Sequence, residues 1–104
     1  MVIKMKKTKT KMRATSLEVF FEILPTLENR ELEVLKALKH LKMANNLMIS
    51  NYLHLPVNCV TGRIYSLREL GIVLYYKKDI CPFTGKKTIY WKIKDYLNQV
   101  MVEQ

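Results

Sequence analysis

The sequence predicts an α+β fold, mainly α: a three-helix core and a β-hairpin, with an extra helix before the core and a short helix at the end. Three observations carry this. Four stretches before Gly71 repeat apolar residues at helical spacing. After Gly71 the pattern changes to two β-branched and aromatic runs, Ile72–Tyr76 and Thr88–Ile93, long enough for strands and too short for helices. At 104 residues with 49% hydrophobic content, the chain is long enough for one domain with a packed core and too short for two comfortable ones.

Residues 1–13 read as a basic flexible arm. Lys4, Lys6, Lys7, Lys9, Lys11 and Arg13 lie there without any acid, and nothing in the stretch could bury a core. The arm either follows a phosphate backbone or minor groove, or serves as a solubilising tail. The domain proper is expected over 14–94, beginning with an accessory helix at 15–25. Thr15-Ser-Leu-Glu18 is a capping-box pattern. Leu17, Phe20, Phe21 and Leu24 form an apolar stripe, and Pro25 stops the helix. That stripe either packs on the core or forms a subunit interface.

Thr26 can cap the next helix, about 27–42, which buries Val34, Leu35, Leu38 and Leu41. Its acids Glu28, Glu31 and Glu33 come first and Lys36, Lys39 and Lys42 last, as the helix dipole favours. Residues 42–44 are a connection or short edge strand. A helix-turn-helix is expected at 45–70. Asn45 caps its first helix, 46–53, with Ile49, Tyr52 and Leu53 facing inward, and His54-Leu55 makes the turn. The second helix, about 56–70, opens at Pro56, whose missing N–H costs nothing at a first helical position. It closes before Gly71, which suits a left-handed residue. Val60, Ile64 and Leu67 share its buried face; Asn58, Thr61, Gly62 and Tyr65 lie opposite. Short hydrogen-bonding side chains on that side suit a DNA major groove, although a solvated amphipathic helix has the same pattern.

The hairpin is expected at 72–93. Pro82 and Gly85 mark its turn, and Lys77, Lys78, Lys86 and Lys87 lie near its end. Ile89, Trp91 and Ile93 would be buried, with Tyr90 and Lys92 opposite. Asp95 can cap a last helix within 95–104, whose stripe Tyr96, Leu97, Val100 and Met101 suits core or dimer contact.

The formal charge of +9 and pI of about 9.7 imply a polyanionic partner, nucleic acid or an acidic membrane. From Val34 to Arg68 there is no acid, while Lys36, Lys39, Lys42, Arg63 and Arg68 lie in that window. No apolar run approaches the ~20 residues of a membrane span. The start lacks the apolar core of a secretory signal, so a cytoplasmic protein with reduced Cys59 and Cys81 is expected. Enzymatic readings find little. Cys59 and His54 flank a turn, His40 is distant, and no paired ligand spacing or Gly-rich phosphate loop occurs. Cys81 would need a base and an orienting group to act as a nucleophile. Neither catalysis nor a metal or cofactor is expected.

Three helices followed by a basic hairpin is the order of a winged helix-turn-helix. The sequence resembles winged helix-turn-helix proteins of bacterial and phage genomes, in the group related to MarR-type regulators, and most closely small phage-type members. The likeness rests on Thr15-Ser-Leu-Glu18, on Leu55-Pro-Val-Asn-Cys-Val-Thr-Gly-Arg-Ile64 with Leu67-Arg68 and Leu70-Gly71, and on Cys81-Pro-Phe-Thr-Gly85 before Trp91. It covers about residues 15–93. His54 departs from it, standing where such turns usually carry Gly.

The resemblance implies double-stranded DNA binding and transcriptional regulation. On this reading Asn58, Thr61 and Tyr65 are candidates for base edges. Pro56 sets the helix entry. Gly62 either admits the DNA backbone or packs against another helix. Arg63 suits a phosphate. Asn45 and Asn46 suit a phosphate at a helix N-terminus. Lys77, Lys78, Lys86 and Lys87 would follow the backbone or minor groove. A dimer through helices 16–24 and 96–102 would fit. The alternative is an interaction module of a replication or transcription complex that uses the apolar helices instead.

Overall fold

The structure is a computed structural model that describes residues 16–100. The expected arm, Thr15 and Met101 lie outside the described residues. The fold is α+β and mainly helical: helices α1 (Leu17–Ile23), α2 (Asn29–Leu41), α3 (Asn46–Leu53) and α4 (Val57–Glu69), strands β1 (Val73–Ile80) and β2 (Lys87–Ile93), then α5 (Asp95–Val100).

Ser16 caps α1, its hydroxyl accepting from the Val19 N–H at 3.2 Å. Of the expected stripe only Phe20 is fully buried, while Leu17 and Phe21 remain 39% and 53% exposed. A helix of 7 residues anchors itself with one ring and leaves its flanks in water. Burying Phe20 contributes roughly 1.5–3 kcal/mol. A 3-10 turn, Leu24–Thr26, follows and holds Pro25.

Thr26 does not cap α2. Its hydroxyl donates to the Ile23 carbonyl at 2.6 Å and closes the preceding turn. Glu28 is the cap instead, with its N–H donating to the Glu31 carboxylate at 3.0 Å. Val34, Leu35 and Leu38 are buried together with Ala37, and Leu41 is half-buried.

Asn45 caps α3 through a 2.8 Å bond from the Met48 N–H. His54 takes the left-handed conformation, φ 59° and ψ 44°, in the turn between α3 and α4. For a side-chain-bearing residue that costs about 1 kcal/mol. The turn is held by the His54 and Leu55 N–H groups, which both donate to the Ser50 carbonyl, while the Ser50 hydroxyl donates to the Leu55 carbonyl. Pro56 is the cap of α4, with ψ 145°, one residue outside the first helical position expected for it. At the other end Gly71, φ 78°, stops the helix. Its N–H donates to the Arg68 carbonyl and that of Ile72 to Leu67, both at 3.0 Å, the paired bonds of a glycine-closed helix end.

The strands pair antiparallel, Val73 with Ile93 through Ile80 with Lys87. Tyr76 is an extra residue in β1, so the register shifts between Tyr75 and Lys77. β1 runs on to Ile80, which puts Lys77 and Lys78 within the strand rather than near the turn. On the far side of β2, Ala44 and Trp91 exchange backbone bonds of 3.1 and 2.9 Å. The connection after α2 thus touches the hairpin as a single-residue third strand.

The core gathers Phe20, the α2 stripe, Ile49, Val60, Ile64 and Leu67 against Ile72, Val73, Trp91, Ile93 and Leu97. Tyr52, expected inward, is 45% exposed and stacks on His40 at 5.3 Å. Ile89 is 37% exposed and Tyr90 is buried, the reverse of the expected alternation. The hairpin projects past the core at Ile89. Tyr90 is held by its own hydroxyl, which donates to the Ile80 carbonyl at 2.7 Å. Asp95 begins α5 instead of capping it, and pairs with Lys92 at 2.8 Å.

Candidate nucleic-acid interface

Trp91 joins three elements. Its indole N–H donates to Asn46 Oδ1 on α3 at 2.9 Å. The Arg68 guanidinium of α4 lies over its ring, 4.7 Å from the centroid, and its backbone carries the Ala44 bridge. The other end of the Asn46 amide donates to Thr61 Oγ1 on α4 at 3.2 Å. Sequence reasoning missed this junction, because a tryptophan in a strand pattern reads as ordinary core.

The junction sets how α4 is presented. Val60, Ile64 and Leu67 face the core as expected, and Asn58, Thr61, Gly62 and Tyr65 are exposed. Thr61 also donates to the Val57 carbonyl at 3.0 Å. A Cβ on Gly62 would meet nothing within 4 Å, so close packing against another helix is not why glycine stands there. Pro56 is exposed where the chain enters α4.

Other expected contacts are committed inside the molecule. The Asn45 side chain is 2% exposed. It accepts from Met48 and donates to Thr88 Oγ1 at 2.9 Å, which corrects its expected role as a phosphate contact. Asn46 is half-buried and both ends of its amide are engaged. Arg63 lies 3.4 Å from the Glu28 carboxylate, on the α2 flank of α4. The carboxylate that caps α2 therefore occupies the cation expected on a phosphate.

Register sorts the hairpin cations. Residues paired across an antiparallel ladder share a face, and alternate residues along a strand return to it. Lys78, Ile80, Lys87 and Ile89 therefore lie on the face of Trp91 and Tyr75, the one that meets Arg68 of α4. All four are exposed. Lys77 is on the reverse face, paired to Asp79 at 3.0 Å and close to the Tyr76 and Tyr90 rings. Its expected DNA contact is corrected by the Tyr76 bulge, which inverts the alternation. That pairing raises the Lys77 ammonium above its ordinary value. Asp79 is held below its own by the Ile80 N–H first and Lys77 second. Lys86 is exposed in the turn.

The turn itself is fixed by Cys81. Its N–H donates to the Lys86 carbonyl and its carbonyl accepts from the Gly85 N–H, both at 2.8 Å. Gly85 has φ 75°, a conformation glycine takes without strain. Burial pushes the Cys81 thiol up. Hydrogen bonds from the Phe83 N–H, the Asn45 amide, and Thr84 outweigh this, leaving it below its ordinary value. Between the N-terminus of α4 and the hairpin runs a crevice of about 540 Å³, bordered by Val57, Leu47, Thr84, Thr88 and Ile89. Ile80, Phe83 and Ile89 were missed by sequence reasoning, which followed charge to the lysines, gave Ile80 and Phe83 no role and placed Ile89 in the core.

Neither protein-family models nor curated proteins give any match to this chain. Among the described residues no group of three or more His, Cys, Asp or Glu could hold a metal ion. Nor is any helix among them long and apolar enough to cross a membrane.

Proposed function

We propose that the chain is a winged-helix protein that binds double-stranded DNA and acts as a transcriptional regulator, in the manner of MarR-like and small phage-type proteins. On this reading α3 and α4 are the helix-turn-helix and the hairpin is the wing. One observation carries it. The exposed small and polar side chains of α4 stand beside a hairpin face bearing Lys78 and Lys87, and Trp91 ties the two together. Asn58, Thr61 and Tyr65 then read base edges, with Gly62 admitting the backbone, while Lys78, Lys86 and Lys87 follow phosphates. Neither a cofactor nor catalysis enters this reading, and a cytoplasmic location suits it.

The test is fluorescence anisotropy with mixed-sequence duplex DNA at two salt concentrations. Wild type binds and weakens steeply with salt. An Asn58→Ala/Tyr65→Ala double variant that folds normally binds at least tenfold more weakly, each base-edge interaction being worth roughly 1–3 kcal/mol. Unchanged affinity in that variant would remove α4 from the reading.

A second reading, a protein-interaction or assembly module, draws on the exposed Leu17, Val19 and Phe21 of α1. A sizing measurement on the same samples separates it. A dimer abolished by Phe21→Ser, without change in DNA affinity, gives α1 the assembly role.

A further inference from the structure

Resting on the DNA reading above, we infer that the hairpin bends the duplex by driving the Phe83 ring between two base pairs. Phe83 stands at the turn, 58% exposed. Behind it, Ile80 and Ile89 are 49% and 37% exposed and share one face with Lys78 and Lys87. Lys86 follows in the turn. The hairpin end therefore combines an apolar tip with Lys86 and Lys87 on one strand's side of the turn and Lys78 further back on the other strand.

The turn that carries the ring is rigid. Cys81 is fully buried, and its backbone closes the loop through Lys86 and Gly85. The Lys86 N–H donates to Thr84 Oγ1 at 3.2 Å. Pro82 fixes one further φ. Little conformational freedom remains to be given up when the ring is taken in, which favours insertion. Asp79 does not oppose a phosphate here, because it lies on the reverse face against Lys77.

Charge decides the occupant. A lone exposed ring needs no explanation. A ring at the tip, with lysines on both strands behind it, calls for two lines of negative charge with an apolar gap between them. A minor groove supplies this: phosphates on each wall, sugar edges for Ile80 and Ile89, and a stack that a wedge can part. Such wedges kink a duplex toward its major groove, the side on which α4 would sit.

The experiment is ligase-mediated circularisation of a mixed-sequence fragment of about 120 bp, shorter than the ~150 bp persistence length. Occupancy is matched by mobility shift on the same fragment. Wild type raises the yield of circles on the order of tenfold over DNA alone, because a bound bend removes part of the elastic cost of closing a stiff fragment. Phe83→Ala at equal occupancy returns it to the DNA-alone level, and Phe83→Leu, still a wedge, keeps most of the gain. The inference is overturned if Phe83→Ala circularises DNA like wild type, or if wild type binds without raising the yield; in both cases the DNA reading stands. If wild type does not bind the fragment, both fall. Phe83-dependent pelleting with phosphatidylglycerol vesicles, in place of duplex binding, assigns the ring to lipid and also overturns it.

Discussion

The indole N–H of Trp91 and the side-chain oxygen of Asn46 meet at 2.9 Å, and this bond links the hairpin to α3. Asn46 also donates to Thr61, so one amide connects the hairpin, α3 and α4. Removing either partner should affect more than local packing.

Asn46→Ala should destabilise the protein by about 1–3 kcal/mol, since it leaves the Trp91 N–H without its partner beneath the surface. Trp91→Phe should cost a similar amount, through poorer packing as well. In a double-mutant cycle by urea unfolding, the two should couple by about 1 kcal/mol. Strict additivity would mean that the bond contributes nothing to stability.

Gly62→Ala should raise the melting temperature. The added methyl meets nothing, and alanine is better than glycine inside a helix by about 0.5–1 kcal/mol. If the backbone there approaches DNA, the same substitution weakens duplex binding while stabilising the fold. Opposite signs in calorimetry and anisotropy are the expected result. A stabilised variant with unchanged affinity would take Gly62 out of the interface.

The hairpin lysines should separate by face. The slope of log affinity against log salt falls by about 0.9 for each phosphate that is no longer neutralised. Lys78→Ala and Lys87→Ala should each show that reduction. Lys77→Ala should leave the slope unchanged, because its ammonium is on the reverse face with Asp79. Equal slopes for all three would show that register does not decide which cations meet the backbone.

Cys81 should make stability depend on pH. Its folded pKa lies below its unfolded value because N–H and hydroxyl donors surround the sulfur. A lowered acid contributes stability that is present above the unfolded pKa and lost as pH falls through the folded one. The melting temperature of wild type relative to Cys81→Ala should therefore rise as pH approaches the ordinary thiol range from below. Lys77 does not interfere, since its raised pKa keeps its contribution constant below 10.5. Parallel pH curves for the two proteins would contradict the assignment.

Much of α4 was legible in the sequence. Val60, Ile64 and Leu67 could be placed because helical spacing is set by backbone geometry alone, and Gly71 because a left-handed helix end favours one residue type. Two kinds of feature were not legible. One is competition for a polar group. Asn45 has the right identity for a cap, yet only the fold brings Thr88 to its amide, and only the fold brings Glu28 to Arg63. The other is parity. A single extra residue at Tyr76 reverses which side of the hairpin each later residue of β1 occupies, and nothing in a run of tyrosines and lysines marks it. Ile89 and Tyr90 exchanged places for a related reason: alternation shows which residues share a side but not where the core ends.

The Ala44–Trp91 bridge has a consequence for how such a protein could diversify. It is made by main-chain atoms, so replacing side chains on the exposed surface of α4 leaves it intact. The distance from the start of α3 to the finger is thereby a gauge cast in the backbone. Lineages could rewrite the letters at Asn58 or Tyr65 and still straddle the same span.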